Sequence, residues 1–304
     1  LDAAAVGRAT SALEELRPDV VLLHSPSLAL PVRAWCLARG ASLVGVDHTC
    51  NGVKARGDWV RAFLAHRLAE TTVVLTEPHR RELRRAWGRF AGAESRVAVI
   101  GNGIDVARFA SQPRLAGARR VFGMHSRFTP SKDHGTLIRA VAEARKRGHD
   151  LQLRLAGDGE TMPGLRALVA ELELQPHVEF LGMIPEPAIP AFLQGLDGFV
   201  QATFGEAMST ALMQAMAMGL PIVASAAPGV VGMVEDGVTA LLVPPGDVGA
   251  LRDALLRIVE DDTLALGLGA AARAKARTCY AQEGMASAYA SLMASLRTPW
   301  TAAP

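Results

Sequence analysis

Residues 198–224 read GFVQATFGEAMSTALMQAMAMGLPIVA. Gly198-Phe199-Val200 is a short apolar run of strand type, and Pro221–Ala224 is another. Between them an Ala/Met/Leu segment of helical composition follows Ser209, a good N-cap residue, and stops at Gly219 with Pro221 just beyond. Strand, helix, strand in this order predicts two parallel strands joined by a right-handed crossover. The same alternation continues on both sides. Towards the N-terminus lie Val121–Met124, Leu151–Ala156 and Val178–Leu181, and Leu241-Leu242-Val243 follows. These six runs are enough for one complete doubly wound α/β domain.

A stretch containing Pro113 and Gly117 (Ser111–Ala118) reads as a linker, and upstream of it the alternation repeats. Val20–Leu23 ends at His24, Leu43–Val46 at Asp47-His48-Thr49, Val73-Val74-Leu75 at Thr76, and Val97–Ile100 at Gly101-Asn102-Gly103. The expected organisation is therefore α/β, with residues 1–112 as an incomplete first domain, 119–280 as a second, and 281–304 as a C-terminal helix and tail. Two such domains facing a cleft is the simplest architecture. The last helix carries an apolar face that either domain can accept. Ligands of parallel sheets gather at the carboxyl ends of the strands, which nominates His24, His48 and Thr76.

Composition narrows the function. At 304 residues the chain suits two domains of ~100–200 residues each. Half of it is hydrophobic, 20% is charged and 5% is aromatic, which excludes disorder and gives no base-stacking surface. The net charge of +2 predicts no polyanionic partner, and no nucleic acid is expected. A basic cluster from Arg80 to Arg89 reads first as a solvated helix face, and second as a peripheral contact with anionic lipid. Three widely spaced cysteines, Cys36, Cys50 and Cys279, match no metal-ligand pattern and suit a reducing, cytoplasmic setting. No run of about 18 apolar residues is present. The segment from Leu1 to Asp19 reads as an amphipathic helix and not a leader. Because the chain opens on Leu1 and not on Met, a longer parent is expected.

The residues that carry chemistry cluster in two places. The helix start at Ser209 follows a strand, so its free amides and the positive end of its dipole form an anion site. Ordinary capping without a ligand explains the same residues. Glu206, just ahead of that helix, would repel a phosphate but suits the hydroxyls of a sugar attached to one. Gln214, in the helix, can hydrogen-bond further hydroxyls such as those of a ribose. In Ser126-Arg127-Phe128-Thr129-Pro130-Ser131-Lys132-Asp133, Arg127 offers a planar fork and Lys132 a compact charge for a diphosphate. A solvated basic loop is the simpler reading of those two residues alone. There is no Asp-x-Asp stretch, no His/Cys group at ligand spacing and no phosphate-binding Gly-x-x-x-x-Gly-Lys loop. A departing diphosphate would then be stabilised by Arg127, Lys132 and the helix start, with neither metal nor cofactor.

Taken in order, these pieces resemble the retaining glycosyltransferases of family 4, also called glycosyl transferases group 1. The resemblance rests on His48 in Asp47-His48-Thr49, on Ile100–Asp105, and on Arg127 with Lys132. It continues through Ala156-Gly157-Asp158-Gly159, Val178–Gly182, Glu206 and Ala217–Ala224, and then Glu235–Thr239 and Leu242–Asp247. It covers about residues 17–260. It implies a GT-B fold of two Rossmann-like domains whose second domain binds a UDP- or GDP-linked sugar. Arg127 and Lys132 would hold the diphosphate, with the amides around Met208, Ser209 and Thr210 facing the donor. Glu206 and His48 would approach the transferred sugar, Gln214 the donor as well. The acceptor would be a glycan or a lipid-linked saccharide, met at the inner face of a membrane.

The sequence also departs from the family pattern. Gln214 stands where a second glutamate is usual, Gly232 where Glu is common, Ala240 where Gly is common, and Ser126 where Gly usually precedes the arginine. The usual first strand with its glycine-rich loop is not found, which leaves the acceptor half incomplete. Two other classes share the fold: epimerases acting on UDP-N-acetylglucosamine, and catalytically silent binding proteins. The Arg127/Lys132 pair with Glu206 favours transfer over epimerisation, whereas Gln214 and the short N-terminal half favour a silent relative.

Overall fold

The computed structural model describes residues 3–48, 56–88, 96–109 and 121–296. The expected linker at 111–118, Cys50 and Arg89 lie outside the described residues. By contacts the chain forms two units, one of residues Leu1–Asn102 with Glu283–Pro304 and one of Gly103–Gln282.

In chain order the first unit contributes α1 (Ala3–Leu16), β1 (Val20–Leu23), α2 (Ala29–Arg39), β2 (Ser42–Asp47), α3 (Arg56–Leu68), β3 (Thr71–Val74), α4 (Glu77–Trp87) and β4 (Val97–Val99). The second contributes β5 (Val121–His125), α5 (His134–Lys146), β6 (Gln152–Ala156), α6 (Met162–Glu171), β7 (Val178–Gly182), α7 (Ile189–Gln194) and β8 (Gly198–Gln201). It continues with α8 (Thr210–Met218), β9 (Ile222–Ser225), β10 (Leu241–Val243), α9 (Val248–Glu260) and α10 (Asp262–Cys279), after which comes α11 (Gln282–Leu296).

The first sheet has the order β1-β2-β3-β4, every pair parallel. Because side chains alternate across a strand, Leu43 faces one side and Val44 and Val46 the other. Leu43 joins Val32, Trp35 and Cys36 of α2. Val44, Val46, Val73 and Ile100 pack instead against Met285, Ala288, Tyr289 and Leu292 of α11. The C-terminal helix, expected as a separate segment, is thus the cover of one face of the first sheet. Its apolar stripe announced burial, but only the exposed sheet face determines where it lies.

The boundary also falls earlier than the expected 112/119, at Asn102/Gly103. Ile104 explains the shift. Its amide donates to the Tyr280 carbonyl at 2.8 Å and its own carbonyl accepts from Gln282 at 2.9 Å, which ties residues 103–109 into the second unit. A Cβ on Gly103 would lie 2.7 Å from the Gln282 Cα, so this close backbone approach requires glycine.

The second sheet has the order β10-β9-β8-β5-β6-β7, again all parallel. Helices α5, α6 and α9 cover one face around Phe122, Met124, Leu153 and Leu155. Helices α7, α8 and α10 cover the other around Phe199, Ile222 and Ala224. The chain leaves β5 towards β6 on one side and returns to β8 on the other. This reversal of strand order opens a crevice at the carboxyl ends of β5 and β8, where doubly wound sheets bind ligands.

Candidate functional site

That crevice is a pocket of about 460 Å³, lined among others by Ser126, Arg127, Lys132, Glu206, Met208, Ser209, Thr210 and Gln214. Seven of the eight site residues expected from the sequence therefore meet in one place. The exception is His48, which belongs to the first unit.

Local structure explains how the loops come together. The loop after β5 is clamped by Gly157-Asp158-Gly159, where Phe128 donates its amide to the Asp158 carbonyl at 2.8 Å. A Cβ on Gly157 would sit 1.9 Å from the Ser126 carbonyl oxygen, and one on Gly159 2.3 Å from that of Phe128. Both glycines have φ in the left-handed range, +130° and +153°. What the sequence offers as a turn signal is in fact the brace for the Arg127 loop. Arg127 itself is exposed, and its side chain makes no hydrogen bond or ion pair among the described residues.

Lys132 and the start of α5 are tied to the loop after β8. Asp133 donates its amide to the Ala202 carbonyl at 3.0 Å, and Phe204 donates to that of Ser131 at 2.9 Å. The buried Asp133 carboxylate caps α5 through the Thr136 amide at 3.2 Å and accepts from Gly246 at 3.1 Å. Lys132 makes an ion pair with Glu206, and the Gln201 amide donates to the same carboxylate oxygen at 2.7 Å. Both charged side chains are only 12% exposed. The sequence expectation placed Lys132 against phosphate. A partner 74 residues away was not visible there.

At the head of α8 the Ser209 hydroxyl accepts from the Leu212 amide at 3.2 Å, so Ser209 is the N-cap as expected. Its own amide lies 3.3 Å from the Met233 sulfur. The Thr210 and Ala211 amides are the first-turn donors with no partner among the described residues, and both residues line the pocket. Gln214 is buried and its Oε1 is unpartnered.

Among the pocket residues not nominated from the sequence are His125 at the end of β5, Gln201 at the end of β8, and Glu186. The first two follow the strand-end rule that pointed to His24 and His48. His125 sits edge-on to Phe192 and Phe199, with ring centroids 6.0 and 5.7 Å away. Burial pushes its imidazole down to about 4 and does the same for His134. An unfolded histidine titrates near ~6.5, so between that pH and about 4 the unfolded chain binds protons that these two folded sites refuse. Stability should therefore fall as pH drops through this window. Urea unfolding at about pH 7 and about pH 5 should differ by on the order of 1–2 kcal/mol per histidine, and an unchanged midpoint would contradict the buried neutral state.

In the first unit, the His24 Nδ1 and His48 Nε2 atoms are 2.6 Å apart, across the ends of β1 and β2. Burial first, and the His24 ring second, hold the His48 imidazole below its ordinary value, with Asp47 opposing. The Thr76 hydroxyl caps α4 by accepting from the His79 amide at 3.3 Å. The basic cluster lies on α4, whose opposite side buries His79, Leu83 and Trp87, and Arg80 pairs with Glu77 at 2.8 Å. Among the described residues no helix is long and apolar enough to cross a membrane, and no group of three His, Cys, Asp or Glu residues has the placement of a metal site.

A family model described as Glycosyl transferases group 1 matches residues 119–261, and one described as Glycosyltransferase Family 4 matches residues 1–108. A GDP-mannose-dependent alpha-(1-6)-phosphatidylinositol monomannoside mannosyltransferase of Mycolicibacterium smegmatis is 31% identical over 204 residues, 61% of this chain and 53% of that protein. An exopolysaccharide phosphotransferase of Streptomyces coelicolor is 29% identical over 260 residues, 85% of this chain but 26% of that protein. The chain spans only 53% and 26% of the length of these two relatives. Anabaena HepE, solved with UDP-glucose, superposes with a TM-score of 0.83 at 22% identity, covering 95% of this chain and 82% of that one. At that identity the likeness is one of fold.

Proposed function

The chain belongs to the family 4 glycosyltransferases, or glycosyl transferases group 1, with the two Rossmann-like domains of the GT-B fold, and on that premise we propose that it transfers a sugar from a nucleotide diphosphate donor. The observation that carries the reading is the convergence of Arg127, Lys132, Glu206 and the head of α8 on one pocket at the strand-order reversal of the second sheet.

Each group has a distinct task in this reading. Arg127 and Lys132 bind the diphosphate together with the Thr210 and Ala211 amides, and these fixed positive groups stabilise the charge that develops as the sugar departs. No metal ion is needed for that balance. Glu206 accepts from hydroxyls of the transferred sugar, and Gln214 hydrogen-bonds the donor further along α8. His48 is the candidate contributed by the first unit. The anomeric configuration is retained: the acceptor attacks the oxocarbenium-like carbon from the face the phosphate leaves, and the leaving phosphate takes the acceptor's proton. The donor carries UDP or GDP. The acceptor is a glycan or lipid-linked saccharide at the inner face of a membrane, with the arginines of α4 as its peripheral contact.

The test is a titration with UDP, GDP, UDP-glucose and GDP-mannose, followed by incubation of the bound donor with a saccharide acceptor extract. The expected result is binding of one nucleotide series and transfer with the anomeric configuration kept, undiminished by excess chelator. Conversion of UDP-N-acetylglucosamine without any acceptor would replace transfer by epimerisation. Turnover abolished by the chelator would remove the metal-free scheme.

A further inference from the structure

Gln201 is out of place by the rules that place its neighbours. It closes β8, is 1% exposed and follows Phe199 and Val200, both fully buried and apolar. Its amide nitrogen donates to Glu206 Oε1 at 2.7 Å, and its own Oε1 is buried without a partner. The assignment of nitrogen and oxygen is settled by chemistry, because a carboxylate only accepts and the atom facing it must be the NH2 group. The buried glutamine is therefore left with an unsatisfied carbonyl, an arrangement that native interiors rarely keep. Its one hydrogen bond goes to the carboxylate at the centre of the pocket. An apolar side chain of the same length would leave nothing unsatisfied on the strand.

Lys132 supplies the second donor to the same Glu206 oxygen. Once a diphosphate is bound, the Lys132 ammonium is shared with phosphate oxygens, and its hold on Glu206 weakens. Gln201 is neutral and has no attraction of comparable strength to phosphate. It is also anchored to the strand that forms the floor of the pocket. It is thus the donor that stays with Glu206 when the lysine turns to the ligand.

We propose that Gln201 is the positioning residue of Glu206, fixing the carboxylate towards the transferred sugar while Lys132 serves the diphosphate. The inference rests on the glycosyl-transfer reading above and adds a residue to it. Gln201 acts through Glu206 and has no contact of its own with the reacting atoms.

The discriminating variant is Gln201→Met, which keeps length and burial and removes the donor. A merely structural glutamine predicts a less stable protein with normal turnover per folded molecule. A positioning glutamine predicts the reverse. The midpoint of urea unfolding stays the same or rises, the affinity for UDP and GDP is unchanged, and kcat with the donor found active falls about tenfold or more while KM moves little. If a nucleotide sugar binds without turnover, its affinity relative to the bare nucleotide is read instead, with a loss of the same size. The loss must also vanish in a Glu206→Ala background, because Gln201 then has nothing to position.

Equal losses in the wild-type and Glu206→Ala backgrounds would overturn the inference, as would Gln201→Met with wild-type kcat. Those results leave the proposed function standing. A wild-type protein that binds neither UDP nor GDP, nor any sugar derivative of them, would sink the function and the inference together.

Discussion

Lys132→Ala is expected to lower kcat/KM by about 10²- to 10³-fold, and Glu206→Ala by a similar factor, the size seen when one preorganised charge-stabilising group is lost. The two side chains form a largely buried ion pair, so each substitution also has a stability consequence. Removing the lysine leaves a carboxylate held by Gln201 alone, and removing the carboxylate leaves an ammonium beside a pocket that Arg127 already makes positive. Breaking a buried pair on one side costs as much as ~3 kcal/mol, whereas removing both partners costs less. The double variant Lys132→Ala/Glu206→Ala should therefore unfold at a higher urea concentration than the worse of the two single variants. Its turnover should fall by less than the product of the single losses, because both residues serve one ligand. Two single variants with full turnover would remove the site assignment entirely.

The fold was largely legible because its signals are local. Every strand of the second unit coincides within a residue or two with a β-branched or apolar run, and the Ser209 cap and Gly219 stop bracket α8 as read. The neighbour order of the strands was not legible, since nothing in Val121–Met124 says that β8 will lie beside it. Without that order the sequence lists several helix starts but cannot say which one faces a crevice. The pairing of Lys132 with Glu206 is a long-range fact of the same kind.

Other residues were legible in type while their partners were not. Thr76 and His48 both follow strands; the Thr76 hydroxyl caps α4 and the His48 ring stacks on that of His24. His125 and Gln201 should have been found by the same strand-end rule. Each stands between an apolar run that marks the core and a loop whose charged residues mark the ligand side, so neither carries a signal of its own. Glycines are the opposite case: their spacing is plain in the sequence, while the backbone each one admits is visible only in three dimensions.

Gly229 shows what that admission is worth. Its φ is +80°, and a Cβ there would lie 1.9 Å from the Glu206 carbonyl oxygen, 2.6 Å from the Glu206 carbonyl carbon and 3.2 Å from the Ala207 oxygen. The neighbouring Pro228 carbonyl meanwhile accepts from the Glu206 amide at 2.9 Å. The backbone that carries the carboxylate is thus pressed directly on this glycine. Gly229→Ala must both strain a left-handed residue and push Glu206 aside. The expected outcome is a stability loss of about 3 kcal/mol or more, together with a fall in turnover approaching that of Glu206→Ala. Gly237 supplies the control. It is also left-handed, with φ of +70°, but an added Cβ meets nothing within 4 Å. Gly237→Ala therefore bears only the conformational cost, about 1–2 kcal/mol, and should keep wild-type turnover. Urea unfolding and kcat/KM measured on the pair separate strain from displacement. If Gly229→Ala turns over as fast as Gly237→Ala, the placement of the Glu206 backbone is not what sets the rate, and the carboxylate loses its central role in the site.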